Sequence, residues 1–189
     1  EPIARKLGTV ELGDQLAALQ TLLEKEPAID PARVGIYGHS YGGFMAVRAM
    51  LTSPRTFRAA AAGSPVTDWR LYDSAYTERY MGSPSSNEAG YAASALPARA
   101  AALEGKLMLL HGLMDENVHF EHMGKLVDAL VAAKKPYELV LFPSERHGYR
   151  GPNARAYANQ RVAAFFAREL AGPPPAPPPA DDREEGAAP

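Results

Sequence analysis

A serine inside a glycine-flanked pentapeptide is the first feature of this sequence that could carry chemistry. Residues 38–42 read Gly-His-Ser-Tyr-Gly and have the form G-x-S-x-G, with Ser40 at the centre. The motif directly follows a run that predicts a strand, and it opens an apolar segment that predicts a helix. Such a strand-turn-helix lifts a serine hydroxyl above a sheet, where it can act as a nucleophile. A serine without catalytic function in a glycine-rich turn has the same local pattern. Residues elsewhere in the chain that could act as base and acid must therefore distinguish the two interpretations.

Two further residues stand in the chain order that such a nucleophile needs. A hydroxyl is a weak nucleophile until a base accepts its proton, and the base needs an acid to orient it. Asp115 follows the apolar run KLMLL, and His147 follows the run YELVLF. Both residues lie just beyond predicted strands, where open α/β sheets place their sites. We therefore predict a triad in which Ser40 is the nucleophile, Asp115 the acid and His147 the base.

Other acidic residues fit the role of the acid less well. Glu116 is adjacent to Asp115 and is the strongest alternative. Asp68 and Asp73 precede the strand that should carry the acid, and Asp128 falls in a predicted helix.

Four more histidines compete with His147 for the role of the base. His39 lies within the pentapeptide, and we expect it to pack beneath the turn and to touch nothing catalytic. His111 ends a strand and reads as structural. His119 and His122 have a spacing that could suggest a metal, but no third ligand is evident. We predict no metal and no cofactor.

The elements that must position these residues alternate along the chain. Apolar runs predict strands, and apolar residues at helical spacing predict helices, whereas residues 64–104 look irregular with short helical stretches. Alternation of this kind is typical of a parallel sheet flanked by helices, an α/β fold. The predicted strands are 33–37, 57–62, 106–110 and 137–142, and the predicted helices are 12–23, 41–51, 123–131 and 162–170.

The oxyanion hole of a serine hydrolase needs two donors. The backbone N–H of Tyr41, the residue after the nucleophile, should supply one, and the second normally comes from a loop after an earlier strand. Only one predicted strand precedes the nucleophile. We therefore expect the C-terminal portion of a hydrolase domain without its N-terminal strands, and little activity from these residues alone.

Composition excludes several classes of function. The chain has 189 residues, 46% of them apolar and 22% charged, with a net charge of -2 and no cysteine. This balance is that of an ordinary globular domain, and it argues against nucleic acid as a partner. The absence of cysteine excludes disulfides and thiol catalysis. Residues 172–189 are rich in proline and hold no bulky apolar side chain, so we predict a disordered tail after a catalytic domain at 1–171.

At these residues the sequence resembles the prolyl oligopeptidase family of serine peptidases, and within it the dipeptidyl peptidase IV group. Several segments carry the resemblance between about residues 7 and 170, and two of them are far more specific than the pentapeptide: YDSAYTERYMG and DENVHF. The matching segments are LGTVELGDQLAAL, IYGHSYGGFMA, PVTDWRLYDSAYTERYMGSP, HGLMDENVHF and RHG.

The resemblance implies a larger protein in which an N-terminal β-propeller, absent here, caps an α/β-hydrolase domain. It implies removal of dipeptides from peptide N-termini, with Pro or less readily Ala in the second position. It also implies a homodimer, and a periplasmic or extracellular location rather than a cytoplasmic one. Asn117 would touch a substrate carbonyl, and the pocket for the proline ring would be lined by Val66, Trp69, Tyr72, Tyr76 and Val118.

The spacing of the three aromatic residues leaves that pocket open to a second interpretation. Trp69, Tyr72 and Tyr76 are spaced as one face of a short helix. From spacing alone this pattern favours a core stripe, and the family resemblance favours the pocket. Flat rings suit a compact apolar group such as proline.

Other functions stay open at this stage. An acylaminoacyl-peptidase or a prolyl oligopeptidase of the same family would use the same triad. A small esterase would need a more complete sheet. A catalytically inactive relative that only binds would usually have lost the serine, so the intact triad argues against it.

Overall fold

The structure, a computed structural model, describes residues 3–171. These residues form four strands and six α-helices. The tail predicted for 172–189 lies outside the described residues. The strands are β1 (Gly35–His39), β2 (Ala59–Gly63), β3 (Lys106–Gly112) and β4 (Glu138–Phe142). The helices are α1 (Val10–Lys25), α2 (Tyr41–Thr52), α3 (Ser74–Met81), α4 (Glu88–Ser94), α5 (Phe120–Ala132) and α6 (Pro152–Ala171).

The strands pair in the order β1-β2-β3-β4, and every pairing is parallel. This confirms the predicted parallel sheet flanked by helices. Because the strands run the same way, their carboxyl ends meet at one edge, and the segments that follow β1, β3 and β4 carry Ser40, Asp115 and His147. None of the helices in residues 3–171 is both long and apolar enough to span a bilayer.

Two apolar clusters cover the faces of the sheet. Residues of α1, α2 and α5 form the larger cluster with Ala60 and Ala62 of β2, and α6 forms the smaller one with Ala59 and Ala61. The alanines of β2 are fully buried on both faces. Their small side chains let helices approach closely, which explains why a strand with weak β-propensity lies at the centre of the sheet.

The predicted elements differ from the observed ones mainly at their ends. β1 begins two residues later than the predicted strand, because Pro31–Arg33 form a turn of 3₁₀ helix in which Asp30 accepts the N–H of Ala32 at 2.9 Å. α6 begins well before the apolar residues that predicted it.

The single short helix expected for the three aromatic residues is wrong. Trp69–Leu71 form a 3₁₀ turn, the backbone is extended at Tyr72, and α3 begins only at Ser74. Two aspartates impose this break. Asp68 accepts the N–H of Arg70 at 2.9 Å, and Asp73 accepts that of Tyr76 at 3.1 Å, so each starts its own helical segment.

Candidate active site

Ser40 occupies a strained turn between β1 and α2. Its backbone has φ 58° and ψ −117°, a conformation that residues other than glycine rarely adopt. The N–H of Ser40 donates to the carbonyl of Gly63 at 2.8 Å, which ties the turn to the end of β2. Strain that the surroundings hold in place is common at functional residues.

The surroundings constrain the two glycines of the pentapeptide differently. A Cβ at Gly38 would lie 2.2 Å from the backbone of Gly42, so only glycine fits the first position. A Cβ at Gly42 would meet no heavy atom within 4 Å among the described residues. Close packing therefore requires glycine at position 38 but not at position 42.

Asp115 is a buried carboxylate on the loop after β3. One of its oxygens accepts the backbone N–H groups of Asn117 at 3.0 Å and Val118 at 2.9 Å. The other accepts from Nδ1 of His147 at 2.8 Å. Burial pushes the pKa of Asp115 up, but the hydrogen bond from His147 and those from the backbone outweigh it and hold the pKa below its usual value.

Glu116, the alternative acid, is placed elsewhere. Its side chain is exposed and forms an ion pair with Arg146 at 2.8 Å. The structure thus brings Asp115, and not its neighbour, to the predicted base.

His147 lies on the loop after β4, with 24% of its side chain exposed. Because a carboxylate can only accept, Nδ1 of His147 carries the proton in this contact and Nε2 is the nitrogen left for other partners. Among the hydrogen bonds of residues 3–171, none joins Ser40 to His147. Contacts of this kind are often long until substrate is bound.

His111 lies beneath the acid at the end of β3. It is fully buried, its Nε2 donates to the carbonyl of Val118 at 2.9 Å, and the same atom is 3.6 Å from Asp115. Burial lowers the pKa of His111, which favours the neutral ring. Its contacts brace the loop that holds Asp115, in line with the structural role expected for it.

His39 does not lie apart from the triad. Its ring centroid is 4.9 Å from that of His147, so the expectation that it touches nothing catalytic is wrong. β1 and β4 are the two outer strands of the described sheet, so the loop after β4 crosses the carboxyl ends of the inner strands to bring His147 beside His39.

The rings of Trp69, Tyr72 and Tyr76, here called the aromatic cluster, meet despite the break between their helical segments. Trp69 stacks on Tyr76 with centroids 6.0 Å apart, and Tyr72 lies edge-on to both rings. Trp69 is 2% exposed and belongs to the main core, whereas Tyr76 is 38% exposed. Val66 and Val118 are buried in the same core cluster. The cluster thus has its base in the core, at Trp69, whereas Tyr72 is partly buried and Tyr76 is exposed.

One hydrogen bond links the aromatic cluster to the acid's loop. The hydroxyl of Tyr72 donates to Oδ1 of Asn117 at 2.8 Å. Asn117 is two residues beyond Asp115 on the same loop. A cavity of about 420 Å³ adjoins this contact and is lined partly by Asp73, Glu116 and His119.

Tyr41 is the first residue of α2, so its backbone N–H has no acceptor within the helix. Its hydroxyl donates to the carboxylate of Glu11 on α1. Burial, together with this hydrogen bond, raises the pKa of Tyr41 and keeps the phenol neutral. Sequence reasoning missed Glu11, because an acidic residue in the first turn of a helix is common and carries no sign of a distant partner.

Comparison with known proteins relates this site to a family. The model of the prolyl oligopeptidase family matches residues 1–173. Human dipeptidyl peptidase 8 is 46% identical over 87% of this chain and 19% of that protein. A mouse relative named inactive dipeptidyl peptidase 10 is 36% identical over 88% of this chain and 21% of that protein. The chain therefore spans about a fifth of the length of these relatives.

A solved structure agrees with the fold. The crystal structure of Porphyromonas gingivalis dipeptidyl peptidase 4 superposes with a TM-score of 0.85 at 37% identity, over 88% of this chain and 24% of that one. The sheet and its helices are thus the predicted α/β-hydrolase fold, and the resemblance to the dipeptidyl peptidase group is confirmed.

Proposed function

Since the chain belongs to the prolyl oligopeptidase family, we propose that it is part of a serine peptidase that releases N-terminal dipeptides ending in Pro, or less readily in Ala. The observation that carries the proposal is the 2.8 Å hydrogen bond between His147 and the buried carboxylate of Asp115, at the sheet edge where Ser40 lies. A contact of this kind is what the acid and the base of a serine hydrolase make, and it supports the proposal.

The proposed reaction follows from the roles of these groups. His147 accepts the proton of Ser40 through Nε2, and Ser40 Oγ attacks the carbonyl carbon of the proline residue at the second position. The N–H of Tyr41 stabilises the oxyanion of the tetrahedral intermediate. His147 then protonates the leaving amine, and water attacks the acyl-enzyme by the same route. Asp115 keeps the proton on Nδ1 and stabilises the imidazolium.

The aromatic cluster supports a pocket for the proline ring. Its rings, with Val66 and Val118, form an apolar group beside the acid's loop. Asn117 complements it, because Oδ1 is already occupied by the hydroxyl of Tyr72 and only the amide N–H donors remain for a substrate carbonyl.

Labelling with a fluorophosphonate tests the nucleophile. The whole protein should label at Ser40 and hydrolyse Gly-Pro-anilide, and the Ser40→Ala variant should do neither. Because one relative is named inactive, absence of both labelling and turnover in the folded wild type would favour a binding protein instead.

A second measurement separates the peptidase classes. The proposal predicts faster cleavage of Gly-Pro-anilide than of acetyl-Ala-anilide, because the latter lacks a free amino terminus. The opposite preference would indicate an acylaminoacyl-peptidase with the same triad.

A further inference from the structure

We infer that His39 and Tyr149 are positioning residues for the catalytic base, and that their two rings form a wall that fixes the orientation of the His147 imidazole. The inference rests on the proposed function, since it concerns the same triad. Neither residue was assigned a role from its position in the sequence.

The contact between the rings is the first support. The His39 ring lies 4.9 Å from the His147 ring at an interplanar angle of 57°. Tyr149 also meets His39 edge-on, with centroids 5.4 Å apart and an angle of 86°. His39 therefore contacts both the base and a second ring from the base's own loop.

Tyr149 is a firm anchor for that loop. It is 6% exposed, stacks on Phe142 of β4 with centroids 4.6 Å apart, and its hydroxyl is 3.4 Å from that of Ser64. Its φ of 44° is in the left-handed region, which a bulky residue adopts only when the surroundings hold it there. Two residues after His147, the chain is thus bent back and fixed in the sheet edge.

Gly63 makes room for this pair. A Cβ at position 63 would lie 2.6 Å from Nδ1 of His39 and 3.5 Å from the hydroxyl of Tyr149. The carbonyl of Gly63 also accepts the N–H of Ser40. Gly63 therefore both anchors the backbone of Ser40 and leaves room for the rings of His39 and Tyr149.

The wall supplies a restraint that Asp115 does not. One hydrogen bond at Nδ1 fixes one end of the imidazole but leaves the ring free to turn about that bond. A flat ring at contact distance opposes this turn, and misplacement of a reacting group by about 1 Å can cost about a hundredfold in rate.

The charge of His39 suits this role. Burial, and then repulsion by His147, lowers the pKa of His39 despite the opposing effects of the His147 backbone and of the Asp115 charge, and His111 lowers it slightly further. A neutral ring can face the imidazolium that forms during the reaction without like-charge repulsion.

Paired variants of the whole protein test the inference, with kcat and KM measured on Gly-Pro-anilide. We expect His39→Ala and Tyr149→Leu to lower kcat about 10- to 100-fold with KM within about twofold. His39→Phe keeps a flat ring and should stay within about threefold of wild type. The rate of fluorophosphonate labelling should fall in parallel with kcat.

Rates are expressed per active site titrated with the fluorophosphonate, so that unfolded protein is not counted. Phe165→Leu is the matched control, since Phe165 is buried in the same smaller core cluster and pairs with Phe166. It should lower the melting temperature and leave kcat unchanged. If His39→Ala does not accumulate as folded protein, His39→Leu, which keeps volume without a flat face, replaces it.

The outcomes separate this inference from the proposed function. A wild type without labelling or turnover overturns the function. Normal wild-type turnover with an unchanged kcat in His39→Ala or His39→Leu overturns the positioning role alone. A His39→Phe variant as slow as His39→Ala also overturns it, because the ring nitrogens and not the ring face would then matter.

Discussion

The acid–base pair and the aromatic cluster lie close together but are held by different interactions. Asp115 accepts three hydrogen bonds, from His147, Asn117 and Val118. In the aromatic cluster the rings are held by packing, and the buried Nε1 of Trp69 has no hydrogen-bond partner within residues 3–171. One hydrogen bond, from Tyr72 to Asn117, joins the two regions.

The difference fits the tasks proposed for the two regions. Proton transfer needs fixed angles and distances, which directional hydrogen bonds impose. Recognition of an apolar ring depends mainly on buried area and shape, which packing supplies. Substitutions in the first region should therefore reduce the rate for every substrate, and those in the second should change the preference among substrates.

Asp115→Asn should have the largest effect. An amide can direct its NH₂ at Nδ1 and so favour the wrong tautomer of His147, and we expect kcat to fall about 10³- to 10⁴-fold with little change in KM. Steady-state kinetics on Gly-Pro-anilide measures this. Glu116→Gln, on the same loop but exposed, is the control and should stay within about twofold. Equal losses in both variants would show that Asp115 is not the acid.

Tyr76→Leu should instead reduce selectivity. Tyr76 is the most exposed ring of the aromatic cluster, and losing its face against Trp69 should lower kcat/KM for Gly-Pro-anilide about 10-fold. The loss for Gly-Ala-anilide should be smaller, so the ratio of kcat/KM for Gly-Pro-anilide to kcat/KM for Gly-Ala-anilide should fall. Tyr157→Leu, at another exposed tyrosine on α6, is the control and should leave both values unchanged. An equal loss for both substrates would place Tyr76 outside the pocket.

The positions of Asp115 and His147 in the fold could be predicted from the sequence because they depend on local patterns. Short apolar runs mark buried strands, and a residue just after such a run must lie at the carboxyl edge of a parallel sheet. This reasoning located Asp115 and His147 without any knowledge of their contact. The ends of the elements were less accurate, since capping residues such as Asp30 decide them.

The contacts around those residues could not be predicted. His39 and His147 are far apart in sequence, and no local spacing indicates that β1 and the loop after β4 bring their rings together. The break between Trp69 and Tyr76 was missed for a different reason. Spacing suggested one helix, but Asp68 and Asp73 each cap a separate segment, and capping overrode periodicity.

Tyr72→Phe should have a moderate effect because it removes the one hydrogen bond between the two regions. The loss of a neutral hydrogen bond costs about 1 kcal/mol, or about fivefold, and should raise KM more than it lowers kcat. Combined with Asn117→Ala, the double variant should be less impaired than the product of the single effects. Additive effects in this double-mutant cycle would mean that the two side chains act independently.

His122 should have the smallest effect on catalysis at neutral pH and a visible effect on stability in acid. It is buried on α5, next to the loop that carries Asp115, and its Nδ1 accepts the N–H of Thr67. Burial lowers the pKa of His122 to about 4, whereas an unfolded chain has the ordinary value of 6.5. Between these values the unfolded state binds more protons, so the free energy of unfolding falls as the pH drops from about 6.5 to about 4.

His122→Gln should therefore flatten the pH dependence of stability in that window. Each buried neutral histidine contributes a slope of up to about 1.4 kcal/mol per pH unit, and the variant removes one of them. His39 and His111, whose pKa values burial also lowers, keep part of the slope. Asp115 affects stability at lower pH than the histidines do. Because its pKa is depressed in the folded protein, the stability that its carboxylate contributes is lost only below the ordinary carboxyl range. Melting temperatures between pH 7 and 4.5 measure the change, and identical slopes in variant and wild type would show that His122 is not a buried neutral histidine.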